Sequence, residues 1–321
     1  MTTAANERHG TNRIRQGMLH DMNRIPHVCT PNDCFDGLPG YCWPPNYTSS
    51  LPSLQGMRLH YLDVGPRDAP VTWLCLHGNP AWSYLDRHMI PVSTLAGHRV
   101  VAPDMPGFGR SDKPTEFAQH TFSWHRNVLA KFVESLDLGS VSLVVQDWGG
   151  LLGLTLPLAA PWRYCGLLVM NTYLATAEER LPAGFVQWRA MCRDKPDFSI
   201  ARLFARGNPH MSEAECTAYD APFPTAAYRA ATRAFPDMAP ERPSEDGVAI
   251  SRHAATFWAH SWTGRSMMTI GAQDPVFTPA RMERLRLGIR GCPPPLLIAE
   301  AGHFVQEHGT HIAREALRVP H

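Results

Sequence analysis

The sequence has little charge of either sign and no long apolar run. Charged residues make up 18% of the 321 residues, and 30 Lys and Arg against 29 Asp and Glu leave a formal net charge of +1. This balance offers neither a basic surface for nucleic acid nor an acidic field that attracts cations. The longest apolar stretch, 149–162, contains a threonine and two prolines and is too short to span a bilayer. We therefore expect neither nucleic acid nor a membrane as a partner.

Glycine and proline, 24 and 29 residues, are too few for a collagen-like or disordered chain, while 44% hydrophobic residues suffice for a large core. The chain also lacks a CxxC motif. Three of its eight cysteines, at positions 29, 34 and 42, lie near His27, but their spacing fits no zinc pattern. We expect unpaired thiols in a reducing cytoplasm instead. An enzyme or a small-molecule-binding protein remains.

Short apolar runs alternate with segments of helical periodicity. Runs typical of buried strands occur at 71–76, 100–102, 141–145, 167–170, 267–270 and 296–299. Continuously apolar strands that alternate with helices predict an α/β fold with a mostly parallel sheet covered on both faces. The alternation stops near Thr172 and resumes near Ser266. We therefore predict a polar N-terminal extension at 1–45, a core at 46–174 and 246–321, and an inserted helical cap at 175–245.

The strongest local pattern is an apolar strand that runs directly into a helix at residues 141–150. Such a junction needs a sharp turn, whose apex residue is exposed above the sheet, and Gly149 and Gly150 allow strand and helix to approach closely. The apex is commonly serine, but here it is Asp147. Its carboxylate can displace a leaving group from carbon and form an ester that water then hydrolyses. The alternative role for this aspartate is to cap the helix.

A histidine and a second acid follow later strands. His303 comes just after the strand at 296–299, and Asp274 comes just after the strand at 267–270. The chain order of nucleophile, acid and histidine matches that of hydrolases. The acid would hold the imidazole in one tautomer and stabilise its charged form. Glu178 or Glu179, which follow the strand at 167–170, are the competing acids.

Hydrogen-bond donors for an anion lie near the same strand ends. The turn of Asn79 can aim a backbone N–H at an oxyanion, and the second donor is the N–H of Trp148. The indoles of Trp148 and Trp188 are donors without acid function. Paired donors of this kind suit a spherical anion, such as halide, that departs without a proton.

Four segments together resemble the haloalkane dehalogenases, which have the α/β-hydrolase fold. They are His-Gly-Asn-Pro at 77–80, Pro-Asp-Met-Pro-Gly-Phe-Gly-Arg-Ser-Asp-Lys-Pro at 103–114, Val-Gln-Asp-Trp-Gly-Gly at 145–150 and Ala-Gly-His-Phe at 301–304. The resemblance covers about 50–318 and is nearest to subfamily I, the dichloroethane-degrading type. Asn79 departs from that type, which has glutamate there. The segment between Asn171 and Trp188 also looks shorter, so a preference for dichloroethane is not carried over.

The resemblance implies that a small apolar haloalkane is hydrolysed to alcohol, halide and a proton without a metal or organic cofactor. Asp147 would be the nucleophile, His303 the base and Asp274 its orienting acid. Trp148, Trp188 and Asn79 would bind the halide. We expect an apolar substrate pocket, typical of such ligands, lined by Leu151, Phe185, Phe235, Pro236 and Val276. We also expect a monomer or small homo-oligomer.

Two alternatives remain open at this point. An epoxide hydrolase would share the aspartate nucleophile and the histidine, but it would need cap tyrosines to protonate the alkoxide, and Tyr219 and Tyr228 are available. A non-catalytic binding protein of the hydrolase fold would retain the fold and bind a small ligand without turnover. The intact set of Asp147, Asp274 and His303 favours an enzyme.

Overall fold

An eight-stranded sheet organises the chain in the computed structural model, which describes residues 24–195 and 197–319. The strands are β1 (His27–Val28), β2 (Asn46–Thr48), β3 (Leu59–Val64), β4 (Thr72–Leu76), β5 (Arg99–Pro103), β6 (Lys113–Pro114), β7 (Val141–Gln146), β8 (Tyr164–Met170), β9 (Arg265–Gly271) and β10 (Leu296–Ile298). The order in the sheet is β10-β9-β8-β7-β4-β5-β3-β2, and all neighbours are parallel except the β5–β3 and β3–β2 pairs. The remaining strands, β1 and β6, pair with each other in a separate two-stranded sheet.

The predicted α/β fold is confirmed, and the apolar runs of the sequence correspond to its central strands. Every residue of β4 and β5 is buried, as expected for parallel strands covered on both faces. The strand β2 and the antiparallel β1–β6 pair were not predicted from the sequence. These are short, half-buried or polar segments, so they lack the apolar pattern that marks a central strand.

Helices flank the sheet and form a group between β8 and β9. The helices are α1 (Ile90–Leu95), α2 (Phe122–Ser135), α3 (Trp148–Gly153), α4 (Ala183–Asp194), α5 (Ile200–Gly207), α6 (Glu213–Ala218), α7 (Ala230–Met238), α8 (Val248–His260), α9 (Pro279–Leu287) and α10 (Gly309–Arg318). Helices α4 and α7 pack together, as do α5 and α6, whereas α8 packs against the 156–158 turn of the core. The boundaries of the cap stay a prediction.

The described part of the predicted extension packs against the rest of the molecule. Its β1 pairs with β6, and Phe35 and Tyr41 are buried. The Thr30 hydroxyl donates to the Pro222 carbonyl, 2.8 Å away, in the segment between α6 and α7. Residues 24–45 therefore join the core to the predicted cap, while 1–23 lie outside the described residues. Among the residues described here, no helix is long and apolar enough to cross a membrane.

A buried ionic network also joins the predicted cap to the core. Arg87 forms two bonds to the Glu307 carboxylate, of 2.6 and 2.9 Å, and both side chains are at most 1% exposed. The hydroxyl of Tyr219, which follows α6, donates to the same carboxylate. Glu215 adds a half-buried partner 3.2 Å from Arg87. Two elements of the core and one helix of the cap thus share a single charge cluster.

Candidate active site

The junction of β7 and α3 places Asp147 above the carboxyl edge of the sheet. The strand ends at Gln146 and the helix begins at Trp148, so Asp147 alone makes the turn, with φ 48° and ψ −126°. Strained backbone of this kind persists where surrounding structure fixes it, commonly at functional sites. A Cβ at Gly149 would collide with the Leu76 carbonyl, and one at Gly150 with the Thr172 side chain. The two glycines therefore permit the turn by letting α3 approach neighbouring strands.

The carboxylate of Asp147 is held by backbone donors. Its Oδ2 accepts a 2.8 Å bond from the Asn79 backbone N–H, and the Trp148 backbone N–H also bonds to the carboxylate. Burial raises the pKa of Asp147, an effect that His303 and these two N–H groups partly offset. Its Oδ1 faces His303 at 3.8 Å from Nε2. Oδ2 is thus held by the Asn79 N–H, while Oδ1 is turned toward the imidazole.

His303 is oriented by Asp274. Its Nδ1 donates to Asp274 Oδ2 at 2.8 Å, and the imidazole is one-fifth exposed. Asp274 is itself fixed by the Asn171 amide at 2.8 Å and the Val276 N–H at 2.7 Å. Although burial lowers the pKa of His303, the carboxylates of Asp274 and Asp147 raise it to about 9. His303 is thus hydrogen-bonded to Asp274 on one side and faces Asp147 at a longer distance on the other, which is the order expected of a base between an orienting acid and a nucleophile.

The competing acids lie elsewhere. Glu179 makes a 2.6 Å ion pair with Arg284 at the surface, and Glu178 lies 3.9 Å from Arg252. Both carboxylates are about half exposed or more. The acid that touches His303 is therefore Asp274.

The loop after β4 is ordered by His77. The Nδ1 of His77 donates to the Gly78 carbonyl at 2.8 Å, and Nε2 accepts from the Met105 N–H at 2.9 Å. Between these anchors the Asn79–Pro80 peptide bond is cis. The Asn79 side-chain amide donates to the Thr232 carbonyl in α7 at 3.2 Å. One amide N–H of Asn79 is thus tied to the predicted cap, and the other has no protein acceptor among the described residues.

A cavity of about 290 Å³ lies over this group and is closed by residues of α4 and α5. Met191, Leu203 and Arg206 also line the cavity. It brings together seven of the residues predicted from the sequence: Asn79, Asp147, Phe185, Trp188, Asp274, Val276 and His303.

Three predicted pocket residues do not line this cavity. Leu151 lies in α3, and Phe235 and Pro236 lie in α7, all buried. The Phe235 ring contacts Trp148 with centroids 5.0 Å apart and Phe108 with centroids 4.8 Å apart. These side chains support the site from behind. Helical periodicity identifies buried positions, but it does not distinguish a cavity wall from the core beneath it.

Of the three predicted halide donors, the two indoles are both unengaged. Within the part of the chain that the structure describes, neither the Trp148 nor the Trp188 indole N–H donates to a protein acceptor. Trp148 is 2% exposed and packs against Phe235, whereas Trp188 lines the cavity and packs edge-on against Phe198. A buried indole usually finds an acceptor. Two free donors beside a nucleophile leave room for an anion.

Sequence reasoning missed two polar residues that hold the triad. Gln146 donates from its amide to His303 Nε2 at 3.1 Å and to the His303 carbonyl at 3.0 Å. Asn171 bonds Asp274 and also accepts from the Gly271 N–H at 2.8 Å. Both come where a strand of the sheet ends. That position, at the edge where parallel strands converge, is the signal that could have identified them.

The tyrosines considered for an epoxide hydrolase do not line the cavity. Tyr219 is fully buried, and its hydroxyl is engaged by Glu307 and by Arg87, 3.3 Å away. Tyr228 lies in the 226–228 turn before α7. Neither hydroxyl is placed to protonate a leaving group beside Asp147.

In the part of the chain that the structure describes, the cysteines at positions 29, 34 and 42 are not grouped together as possible metal ligands. The ligand atoms of His27, Cys29 and Asp112 lie within 4.8 Å of one another. However, the Asp112 carboxylate already bonds the Arg58 guanidinium at 2.9 Å and the Arg58 N–H at 2.7 Å. Arg58 therefore supplies the positive charge that a cation would bring. All eight cysteines, which fall in the described residues, are free thiols.

The chain is similar to known proteins over most of its length. A model of the α/β hydrolase fold matches residues 73–310. The chain is 39% identical over 298 residues to a haloalkane dehalogenase of Psychrobacter cryohalolentis, covering 91% of this chain and 97% of that protein. It is 40% identical over 291 residues to haloalkane dehalogenase 1 of Mycobacterium bovis, covering 90% and 96%. A solved structure, the tetrameric haloalkane dehalogenase DpaA of Paraglaciecola agarilytica NO2, superimposes with a TM-score of 0.89 at 45% identity, covering 92% and 98%.

Proposed function

The chain belongs to the haloalkane dehalogenases, hydrolases of the α/β-hydrolase fold that act on carbon–halide bonds, and from this membership we propose which of its residues carry out the reaction. The observation that carries the proposal is the alignment of Asp147, His303 and Asp274 beneath a cavity lined by Trp188, with the Trp148 indole beside the nucleophile. The placement in subfamily I stays a prediction.

In the first step, Asp147 displaces the halide. Oδ1 attacks the halogen-bearing carbon, because Oδ2 is held by the backbone N–H of Asn79. The carbon–halogen bond breaks as the carbon–oxygen bond forms, and the halide leaves with the electron pair. The indole N–H groups of Trp148 and Trp188, with the free amide N–H of Asn79, stabilise the charge that develops on the halogen. No proton is transferred in this step.

In the second step, water hydrolyses the ester. His303 Nε2, 3.8 Å from Asp147 Oδ1, takes a proton from water as the water oxygen bonds to the carboxyl carbon. The oxyanion forms on Oδ2, to which the backbone N–H of Asn79 donates, and the backbone N–H of Trp148 is the second donor to this carboxyl group. The bond between the carboxyl carbon and Oδ1 then breaks, and the alcohol leaves with Oδ1 and receives the proton from His303. The second proton of the water is released to solvent as the Asp147 carboxylate re-forms. Asp274 stabilises the imidazolium while it exists.

The cavity suits a small, largely apolar substrate. Phe185, Val276, Met191 and Leu203 supply apolar walls, and the volume of about 290 Å³ fits a short haloalkane. We assign residues 175–245 as the cap that closes this cavity, since Trp188 and Met191 come from α4. We further propose a cytoplasmic enzyme, which accords with its eight free thiols, and a small homo-oligomer, as in the tetrameric relative.

The assignment is tested by measuring bromide and proton release from 1-bromobutane and 1,2-dibromoethane. We expect one bromide and one proton per alcohol formed, and no diol from styrene oxide. Asp147→Asn should reduce bromide release by at least about 10³-fold because the nucleophile is lost. The matched control is Asp137→Asn, at a 90% exposed aspartate, and it should retain full activity. Equal activity of the two variants would overturn the assignment, and diol formation without bromide release would favour an epoxide hydrolase.

A further inference from the structure

The amide of Gln146 lies against Nε2 of His303, the nitrogen that must accept a proton from water if His303 is the catalytic base. Gln146 is fully buried at the end of β7, and its amide nitrogen lies 3.1 Å from Nε2 and 3.0 Å from the carbonyl oxygen of His303. A carboxamide nitrogen has two hydrogens and no lone pair to offer. Both contacts are therefore donations to His303, one to the ring and one to the backbone.

The donation to the ring requires one protonation state. His303 Nδ1 carries its hydrogen, because it faces the Asp274 carboxylate, which only accepts. Nε2 can accept from Gln146 only if it has no hydrogen, so the contact selects the neutral ring with its lone pair on Nε2. In the imidazolium, the Nε2–H would point at the amide hydrogens. This is the form in which His303 can take a proton from water.

The amide is not free to turn over and accept instead. Rotation by half a turn would put Oε1 of Gln146 against the His303 carbonyl oxygen, where two acceptors would face each other. In the present orientation Oε1 is buried without a hydrogen-bond partner. An unpaired buried carbonyl is costly, and it shows that the two donations determine how this side chain sits. The His303 carbonyl thus fixes which end of the amide faces the ring.

The charged groups around His303 act in the opposite direction. The carboxylates of Asp274 and Asp147, which follow β9 and β7, both favour the imidazolium and raise the pKa of His303. Arg206 of α5, which lines the same cavity, is the positively charged residue that the predicted cap contributes there. A base surrounded by two carboxylates would retain its proton at neutral pH. A neutral donor on Nε2 opposes that tendency.

We propose that Gln146 is a positioning residue for ester hydrolysis, which holds His303 neutral by donating to its Nε2 lone pair until the hydrolytic water takes the place of the amide. The inference rests on the proposed function of Asp147 and His303 and extends it. Gln146 reacts with nothing itself and acts only on the second step, through His303.

The test separates the two steps in single-turnover experiments with 1,2-dibromoethane across pH. Bromide release reports ester formation, and mass spectrometry of the quenched enzyme reports the alkyl ester on Asp147. In Gln146→Met, we expect the ester to accumulate and the midpoint of the acid limb of hydrolysis to move up by about half to one pH unit. Gln146→Glu, which places a carboxylate against Nε2, should move the midpoint further in the same direction.

Two reference variants make the outcomes distinguishable. Gln306→Met replaces another buried glutamine that does not contact His303, and it should keep the wild-type midpoint. His303→Phe removes the base and should trap the ester at every pH. If His303→Phe forms no ester, the proposed function fails. If it forms the ester while the Gln146 variants keep the wild-type midpoint, or slow both steps equally at all pH values, only the role of Gln146 is overturned.

Discussion

At the scale of single residues, the site is organised by which hydrogen-bond donors are used and which remain free. Backbone N–H groups hold one oxygen of Asp147, the Asn171 amide holds Asp274, and the Gln146 amide holds His303. The two indole N–H groups stand apart from this pattern, because a protein acceptor is missing for each among the residues described. The free donors are the ones that an anionic leaving group needs.

Trp188→Phe tests the donor in the predicted cap. The change keeps an aromatic ring against Phe198 but removes the N–H, so halide stabilisation weakens in both the bound state and the transition state. We expect bromide release to slow by about 10- to 100-fold, and bromide to bind correspondingly more weakly when its quenching of tryptophan fluorescence is titrated.

Trp162→Phe is the matched control, because that indole is 79% exposed on the core. It should leave both measurements unchanged. An unaltered rate and bromide affinity in Trp188→Phe would remove Trp188 from the halide site and leave Trp148 and Asn79 as its donors.

At the scale of elements, the sequence predicted what depends on local pattern. Buried parallel strands are continuously apolar, so β4, β5, β7, β8 and β9 were located within a few residues. Asp147, Asp274 and His303 were found because each follows such a strand, and parallel strands end at one edge. The residues that the sequence did not identify depend on tertiary packing. The strand-end position of Gln146 marks it as a candidate, but its role depends on its contact with a ring 157 positions away, which no local pattern encodes.

The strand–helix junction itself depends on two glycines, and Gly149→Ala tests this requirement. A Cβ there would meet the Leu76 backbone carbonyl, which has no flexible end that can move aside. We expect a loss of about 3 kcal/mol or more in the free energy of unfolding, measured in urea, and loss of bromide release as Asp147 is displaced.

The control for the junction is Gly139→Ala. This glycine precedes β7 and has open space where its Cβ would be. Its substitution should change the free energy of unfolding by no more than about 0.5 to 1 kcal/mol. Similar losses in the two variants would mean that helix and strand do not approach as closely as the structure indicates.

At the scale of the whole molecule, the proposed catalytic residues come from both sides of the helices between β8 and β9. These helices, the proposed cap, must therefore be held in place against the core. The buried cluster of Arg87, Glu307 and Tyr219 holds them together at one side of the cavity. From this cluster, Tyr219 stacks on Phe204 of α5. Phe204 in turn stacks on Phe304, which is the neighbour of His303.

Arg87→Met should destabilise the molecule by about 3 to 5 kcal/mol, because it leaves the Glu307 carboxylate buried without a cation. Removing both charges, in Arg87→Met with Glu307→Met, should lower the free energy of unfolding by less than the sum of the single changes, with a coupling of roughly 2 kcal/mol in urea unfolding.

The control is Arg318→Met, which breaks a pair with Glu315 in which the arginine is 73% exposed. It should lower the free energy of unfolding by no more than about 0.5 kcal/mol. Additive losses at Arg87 and Glu307 would mean that the two charges do not depend on each other.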